Sequence, residues 1–575
     1  MSLAVLAIFA AIPIVAALVL MVGLRMGAMK AMPIAWLACA VIGIMVWKLP
    51  GSYVAALSIQ GVISAFGILI IVFGALLILH TLQYSGGMET IQYGMANITK
   101  DMRVQAIIVG YMFGAFVEGA AGFGTPAALA APLLFALGFP PMAAAVICLC
   151  FNSFPVSFGG AGIPIIVGIG PALKSVGDAL VAAGTVGSFD AFLKLIGETV
   201  SLMHAPMALI LPVFMLGFIT RFFGPNRSWS EGLAAWKFCI FAGLSFVVPY
   251  LLLAWLVGPE PPTLVSALIG LGVIFYGAKH GICMPTDKVW TFGDHEKWDP
   301  AWTGTIAFSG SKEFKSHMSQ TLAWLPYVLV GGILVITRLE FLPIKAWLNN
   351  NAVLSFTGIL GYSNVNESLK ILYLPGTIPF ILIALCVVFM HRMSGDKVAK
   401  AWRDTAMKIW PAAIALCASV ALVKIFQGSG VNPELAAQVA AGTAKNLPSM
   451  PLAMATTMGN IFGDAWPFLA SYTGGLGAFI TGSNTVSNLL FGMFQWDIAG
   501  QLGFSRIIVT ASQVAGGAMG NMVCIHNIIA CCSVVGLLNR EGEVLRKTFW
   551  PFVLYGIVVG IVTYILIGMN YSSNL

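Results

Sequence analysis

Charge is the scarcest thing in this sequence. Asp, Glu, Lys and Arg together supply 9% of its 575 residues, against roughly 25% in an ordinary soluble protein. A chain so poor in charge cannot clothe a soluble surface, so a large soluble domain is excluded. Spacing of the GxxxxGK[ST] type is absent, which argues against an ATP-driven pump. HExxH and Ser/His/Asp patterns are absent too, which argues against a membrane enzyme. The ten cysteines include no CxxC pair. Cys148 with Cys150, and the adjacent Cys531 and Cys532, read as small buried side chains. No metal-ligand spacing or cofactor motif is found. The formal charge of +7 is scattered over short loops, unlike a nucleic-acid surface.

What is present is apolar. Hydrophobic residues make up 59% of the chain, and several runs reach the ~20 residues that cross a bilayer. Leu3 to Leu24 is the first such run and Pro551 to Met569 the last. Nothing basic precedes the first run, and further spans follow at once, so it reads as a retained span and not a secretory signal. The fold class expected is an all-α polytopic membrane protein of about 12 or more transmembrane helices. The lipid bilayer is its first partner.

Loop charges orient the spans. The richest basic loop, His391 to Lys408, carries Arg392, Lys397, Lys400, Arg403 and Lys408 and faces the cytoplasm by the positive-inside rule. Arg25 with Lys30, Lys100 with Arg103, Arg221 with Arg227, and Arg540 with Arg546 and Lys547 join it. Gly258 to Pro262 lacks basic residues and lies outside. Both termini then lie outside. The polar stretch Lys279 to Gln320 reads as a solvated cytoplasmic loop, since His280, Asp287, Asp294, His295, Glu296 and His317 match no metal spacing. Leu342 to Leu372 lies outside and is too polar for a simple span.

Two apolar runs are interrupted. The first holds Glu118-Gly119-Ala120-Ala121-Gly122-Phe123-Gly124-Thr125-Pro126, the second Thr481-Gly482-Ser483-Asn484-Thr485. In lipid a broken helix persists only where protein or a hydrated cavity satisfies its backbone. Paired interruptions in corresponding positions of two halves point to a transporter's substrate site. The count of crossings closes if residues 104–138 form a hairpin entering from the cytoplasm and a second hairpin near 451–494 enters from outside. Opposite entry predicts two inverted-topology repeats, 1–258 and 259–575, with broken helices and re-entrant hairpins. A weak echo supports them: Gly138-Phe139 then Asn152, Ser153, Gly159 and Gly160 in one half, Gly503-Phe504 then Gln513, Gly516 and Gly517 in the other.

Residues 118–134, Gly138-Phe139-Pro140 and Asn152-Ser153-Phe154-Pro155-Val156-Ser157-Phe158-Gly159 closely resemble the lactate permease family. Thr481-Gly482-Ser483-Asn484-Thr485-Val486-Ser487-Asn488 and residues 516–522 resemble its second half, and the likeness covers nearly the whole chain. The family is similar to a wider group of ion transporters that includes dicarboxylate/sodium symporters. The resemblance implies uptake of lactate, glycolate or a similar short 2-hydroxymonocarboxylate with protons, across a bacterial inner membrane. Two departures stand out. Asn484 takes the place of the aspartate expected in Thr-Gly-Ser-Asp-Thr, and Asn521-Met522-Val523-Cys524-Ile525-His526-Asn527 replaces a Ser-Pro-Gln type sequence. Both change the charge balance of the site.

A small 2-hydroxy acid needs its carboxylate held by backbone N–H groups and the positive end of a half-helix. Gly122, Gly124 and Gly482 would allow close backbone approach, and Pro126 suits the first turn of the next half-helix. Thr125, Asn152, Ser153, Thr481, Ser483, Asn484, Thr485 and Asn488 would complete the cage and read the 2-hydroxyl. The same small residues could instead serve only tight helix packing. Ionisable groups at membrane depth are expensive, at about 2.5–3.5 kcal/mol on insertion scales. Glu118 is the foremost proton-coupling residue, with Asp464 and His526 beside it; a structural carboxyl or packed imidazole is the plain alternative. His80 and Lys424 are expected to reach toward an interface. The coupling ion is H+ on this reading, with Na+ as the rival. Sodium-coupled symport of another small organic anion, and an anion channel, are the other functions in play. Oligomeric state is not set by the sequence, and a homodimer is compatible with it.

Overall fold

Helix after helix here is apolar on every side, the pattern of elements that meet lipid or other buried helices. The computed structural model describes every residue except 25, 97, 123–124, 305–313, 340, 436–437, 440, 444, 538–539 and 572–575. Among the described residues nine helices are long and apolar enough to cross a bilayer, from Leu3–Met21 to Glu541–Gly568. A pair bent by 61°, Pro141–Phe151 with Val156–Ala172, makes a tenth. Gln320–Ile336 and Gly376–Met390 are shorter apolar helices. The protein is an all-helical, multi-span membrane protein. Among the described residues one element departs from helix: an antiparallel pair of strands, Val353–Phe356 and Glu367–Lys370. It falls in the polar stretch expected outside, where water can satisfy the open strand edges that lipid would not tolerate.

Loops given to the cytoplasm by their charge touch one another. Arg103, its side chain fully buried, pairs with Asp101 and with Asp287, each at 2.7 Å, and donates to the carbonyl of Glu231. His317 meets Glu89 at 2.7 Å. Arg540 donates to the carbonyls of Pro300, Ala301 and Thr303. A second set of contacts joins other loops and helix ends. Trp47 donates to Pro448 O, Asn432 to Lys48 O and Gln60 to Asn366 O. Arg338 pairs with Glu260 at 2.7 Å, and Lys424 with Glu367 at 3.3 Å. His80 is buried, 2.8 Å from Thr405 Oγ1.

Two hairpins stand among the spans. In the first, Met102–Ala121 leaves the Arg103 cluster and Thr125–Ala136 returns to it. A β-carbon on Gly138 would lie 3.0 Å from Met102 Cε, and Phe139 packs on Phe292. In the second, the arms are Trp466–Thr481 and Asn484–Leu502. The sequence places this hairpin near 451–494, but Met450–Phe462 is a separate helix, cut off at Gly463 with φ 49°. Tyr564 donates to Asp464 O just before the first arm. Tyr564 stands some 24 residues along its helix from the Arg540 cluster, about 36 Å at 1.5 Å per residue, so this hairpin opens toward the opposite side.

Small residues let the backbones close up. A β-carbon on Gly516 would lie 1.9 Å from Ser471 O, so helix Arg506–Gly520 rests directly on the first arm of the second hairpin. Cys283 is exposed, Cys386 and Cys417 are half-buried, and the other seven cysteines are buried.

Candidate functional site

Each hairpin ends in a turn that only a special backbone allows. Gly482 closes Trp466–Thr481 in the left-handed region, at φ 76°. Ser483 then caps the next helix, its Oγ accepting from Val486 N at 3.4 Å. Thr481 Oγ1 donates to Gly477 O and Ser483 O, which fixes the tip. In the first hairpin Gly122, at φ 62°, ends the ascending helix, and Thr125 begins the returning one. Gly124 and the Thr125 side chain lie outside the described residues.

Each half also carries a broken helix beside its hairpin. Between Pro141–Phe151 and the following helix the chain turns through Gly160, Ala161 and Gly162, all left-handed at φ 53°, 60° and 80°. In the second half the break falls at 521–524, between Arg506–Gly520 and Ile525–Val535.

The two tips and the two breaks line a cavity of about 40 Å³, room for ordered water. Glu118 and Gly122 line it from the first hairpin, and Val156, Gly159, Gly160, Ile163 and Pro164 from the first break. Gly482, Ser483, Asn484 and Thr485 line it from the second hairpin, and Asn521 and Asn527 from the second break. Glu118 and Gly159 fit closely, since a β-carbon on Gly159 would lie 2.2 Å from Glu118 Oε1. The Asn152 side chain hydrogen-bonds to the Glu118 carboxyl. His526 covers the second tip, its Nδ1 3.3 Å from where a β-carbon on Gly482 would sit.

Several buried polar atoms here have no hydrogen-bond partner among the described residues: Glu118 Oε2, Asn152 Oδ1, Asn484 Oδ1 and Nδ2, Asn521 Oδ1 and His526 Nδ1. Such atoms are rare in native proteins and call for water, an ion or a ligand. No lysine or arginine lines the cavity. An anion would be held by amides and hydroxyls and by the N-terminus of Asn484–Leu502.

The other residues singled out in the sequence stand apart from the cavity wall. Asn488 is one layer back, its Nδ2 donating to Pro164 O at 3.1 Å. Ser153 Oγ donates to Cys150 O at 2.7 Å, a local bond. Asp464 is exposed in the turn after Gly463. Gly159, Gly160, Asn521 and Asn527 were not among the expected site residues; the glycine pair and the paired asparagines were their signals. No group of three or more His, Cys, Asp or Glu able to hold a metal occurs among the described residues.

Hairpins, broken helices and a cavity walled by both halves define a membrane carrier. The profile of the L-lactate permease family matches residues 6–569. The chain belongs to the L-lactate permease family, and is a transporter, not an enzyme. A relative from Haemophilus influenzae is 32% identical over 87% of each chain. The L-lactate permease of Escherichia coli (strain K12) is 28% identical over 83% of this chain and 80% of its own. The glycolate permease GlcA of the same strain is 27% identical over 98% and 97%. Among solved structures, the YdaH transporter of Alcanivorax borkumensis aligns with a TM-score of 0.41 at 14% identity, covering 88% of this chain and 86% of that one.

Proposed function

We propose that this carrier imports lactate, glycolate or a similar short 2-hydroxymonocarboxylate together with protons, across a bacterial inner membrane. The convergence of unpartnered polar atoms from Glu118, Asn484 and Asn521 on one cavity carries the reading, with the unpartnered His526 imidazole against Gly482 beside it. Family membership supplies the substrate class. In this reading Gly122, Gly482, Ser483, Asn484 and Thr485 bind the carboxylate and hydroxyl, together with Gly124 and Thr125. Asn152, Ser153, Thr481 and Asn488 hold the frame. Glu118 takes the proton, with His526 nearby and Asp464 at the outer approach. Residues 1–258 and 259–575 act as inverted repeats, moving about the shared cavity.

The test is counterflow in proteoliposomes with labelled lactate and glycolate, under an imposed pH gradient and then a sodium gradient. Exchange that follows the pH gradient is expected. Accumulation that tracks external sodium instead would move the coupling to Na+. Conduction without exchange would replace the carrier with a channel.

A further inference from the structure

His204 lies deep within Phe189–Phe223, fully buried and outside the cavity wall. Its Nε2 is 2.7 Å from Ser157 Oγ and its Nδ1 is 2.5 Å from the Tyr555 hydroxyl. Ser157 Oγ also donates to Val514 O, at 3.3 Å. One arrangement of protons satisfies the whole chain. Ser157 gives its only hydrogen to Val514 O, so it accepts from His204 Nε2–H. Nδ1 is then bare and accepts from Tyr555. The opposite tautomer would leave the Tyr555 hydrogen with no acceptor in this chain of bonds, which is costly for a buried hydroxyl.

The chain of bonds joins four elements. Ser157 belongs to the first break and His204 to Phe189–Phe223; Val514 comes from Arg506–Gly520 and Tyr555 from Glu541–Gly568. Ser157 sits between cavity-lining residues, with Val156 before it and Gly159 and Gly160 after it. Gly159 is the residue against which the Glu118 carboxyl rests. A displacement of Ser157 therefore moves the rim that holds Glu118.

We propose that His204 is a positioning residue for transport: as a neutral imidazole with its proton on Nε2, it fixes the first break through Ser157 and so sets substrate affinity, without carrying the transported proton. The inference rests on the carrier reading above. It differs from a relay role, because His204 and its partners stand outside the cavity wall and no transported proton resides on the imidazole.

The variants are H204A, H204Q, S157A and Y555F, with H204A/S157A as the double. Gln keeps an N–H donor toward Ser157; Ala keeps nothing. In lactate exchange, H204A and S157A are expected to raise KM about tenfold while maximal rate stays within about threefold. The double should be no worse than either single, because both cut one chain of bonds. H204Q should stay within about threefold of the parent KM. Hydrogen exchange over residues 152–163, which needs no substrate, should quicken in H204A and Y555F and return to the parent rate in H204Q. The pH profile of uptake should keep its shape in H204Q. An unchanged KM and unchanged exchange in H204A would overturn the proposal. So would loss of acid-driven accumulation in H204Q with exchange intact, which would make His204 a proton carrier. A parent that exchanges no lactate would sink the carrier reading, and the hydrogen-exchange result would still decide on His204.

Discussion

Gly517 and Asn484 occupy one space: a β-carbon on Gly517 would lie 2.0 Å from Asn484 Oδ1. The missing side chain on helix Arg506–Gly520 is what lets the Asn484 carboxamide stand at the cavity with both polar atoms unpartnered. Gly517→Ala should therefore push the carboxamide out of place. Overpacking of this kind costs about 1–3 kcal/mol, and lactate affinity should fall about tenfold or more. Counterflow with a thermal melt checks it; a parent-like KM would remove Asn484 from the site.

Asn484→Ala separates a binding role from a structural one. A buried amide without partners contributes nothing to folding through hydrogen bonds, so its removal should leave the melting temperature unchanged or raise it. A bond from that amide to a charged carboxylate is worth about 1.5–3 kcal/mol, so KM should rise about tenfold or more. Lower stability with unchanged affinity would speak for packing alone.

Glu118→Gln should preserve exchange of labelled substrate and abolish acid-driven accumulation. One negative charge entering a cell at −100 mV is opposed by about 2.3 kcal/mol, and cotransport with one proton removes that cost. Uptake measured with and without a pH gradient decides. Accumulation that survives in the variant would assign coupling elsewhere.

Arg103 anchors the start of the first hairpin, and Arg103→Ala would leave Asp101 buried without its partner. Breaking a buried pair in this way costs about 3–5 kcal/mol, visible in a melt of purified protein. Hydrogen bonds from Arg103 hold the Asp287 carboxyl below the ordinary value. Its contribution is thus complete above the unfolded value of about 3.9 and is lost as pH falls through the lower folded value. Acid below about pH 4 should lower the melting temperature of the parent more than that of Asp287→Asn.

Lys100 is exposed beside the Arg103 cluster. Lys100→Cys should react with an impermeant thiol reagent only from the cytoplasmic face. Labelling from outside the cell alone would invert the whole topology.

Spans were legible because hydropathy is a local property, and the basic loops of Arg103 and Arg540 both make contacts with the Lys279 to Gln320 stretch with which charge grouped them. The tip at 481–485 was legible for the same reason, as a polar break in an apolar run. The rim at Gly159 and Gly160 was not. Those glycines read as a faint repeat signal, and their function depends on a bend that carries them against Glu118, 41 residues away. Asn521 and Asn527 read as a departure from a family pattern, since nothing local says that the chain breaks there toward the other half. Asp464 was read as standing near a span's end, before Trp466-Pro467, and it lies exposed in the turn that follows the positive φ of Gly463.

The exposure of Cys283, with the remaining cysteines buried or half-buried, also bears on bookkeeping at the bench. Reconstituted carriers insert both ways round, and a rate per vesicle is ambiguous until the two populations are counted. A water-soluble maleimide added before and after detergent would titrate Cys283 in the outward-turned and then in the total population. The native chain thus carries its own gauge of orientation, and no engineered tag is needed to normalise an uptake curve.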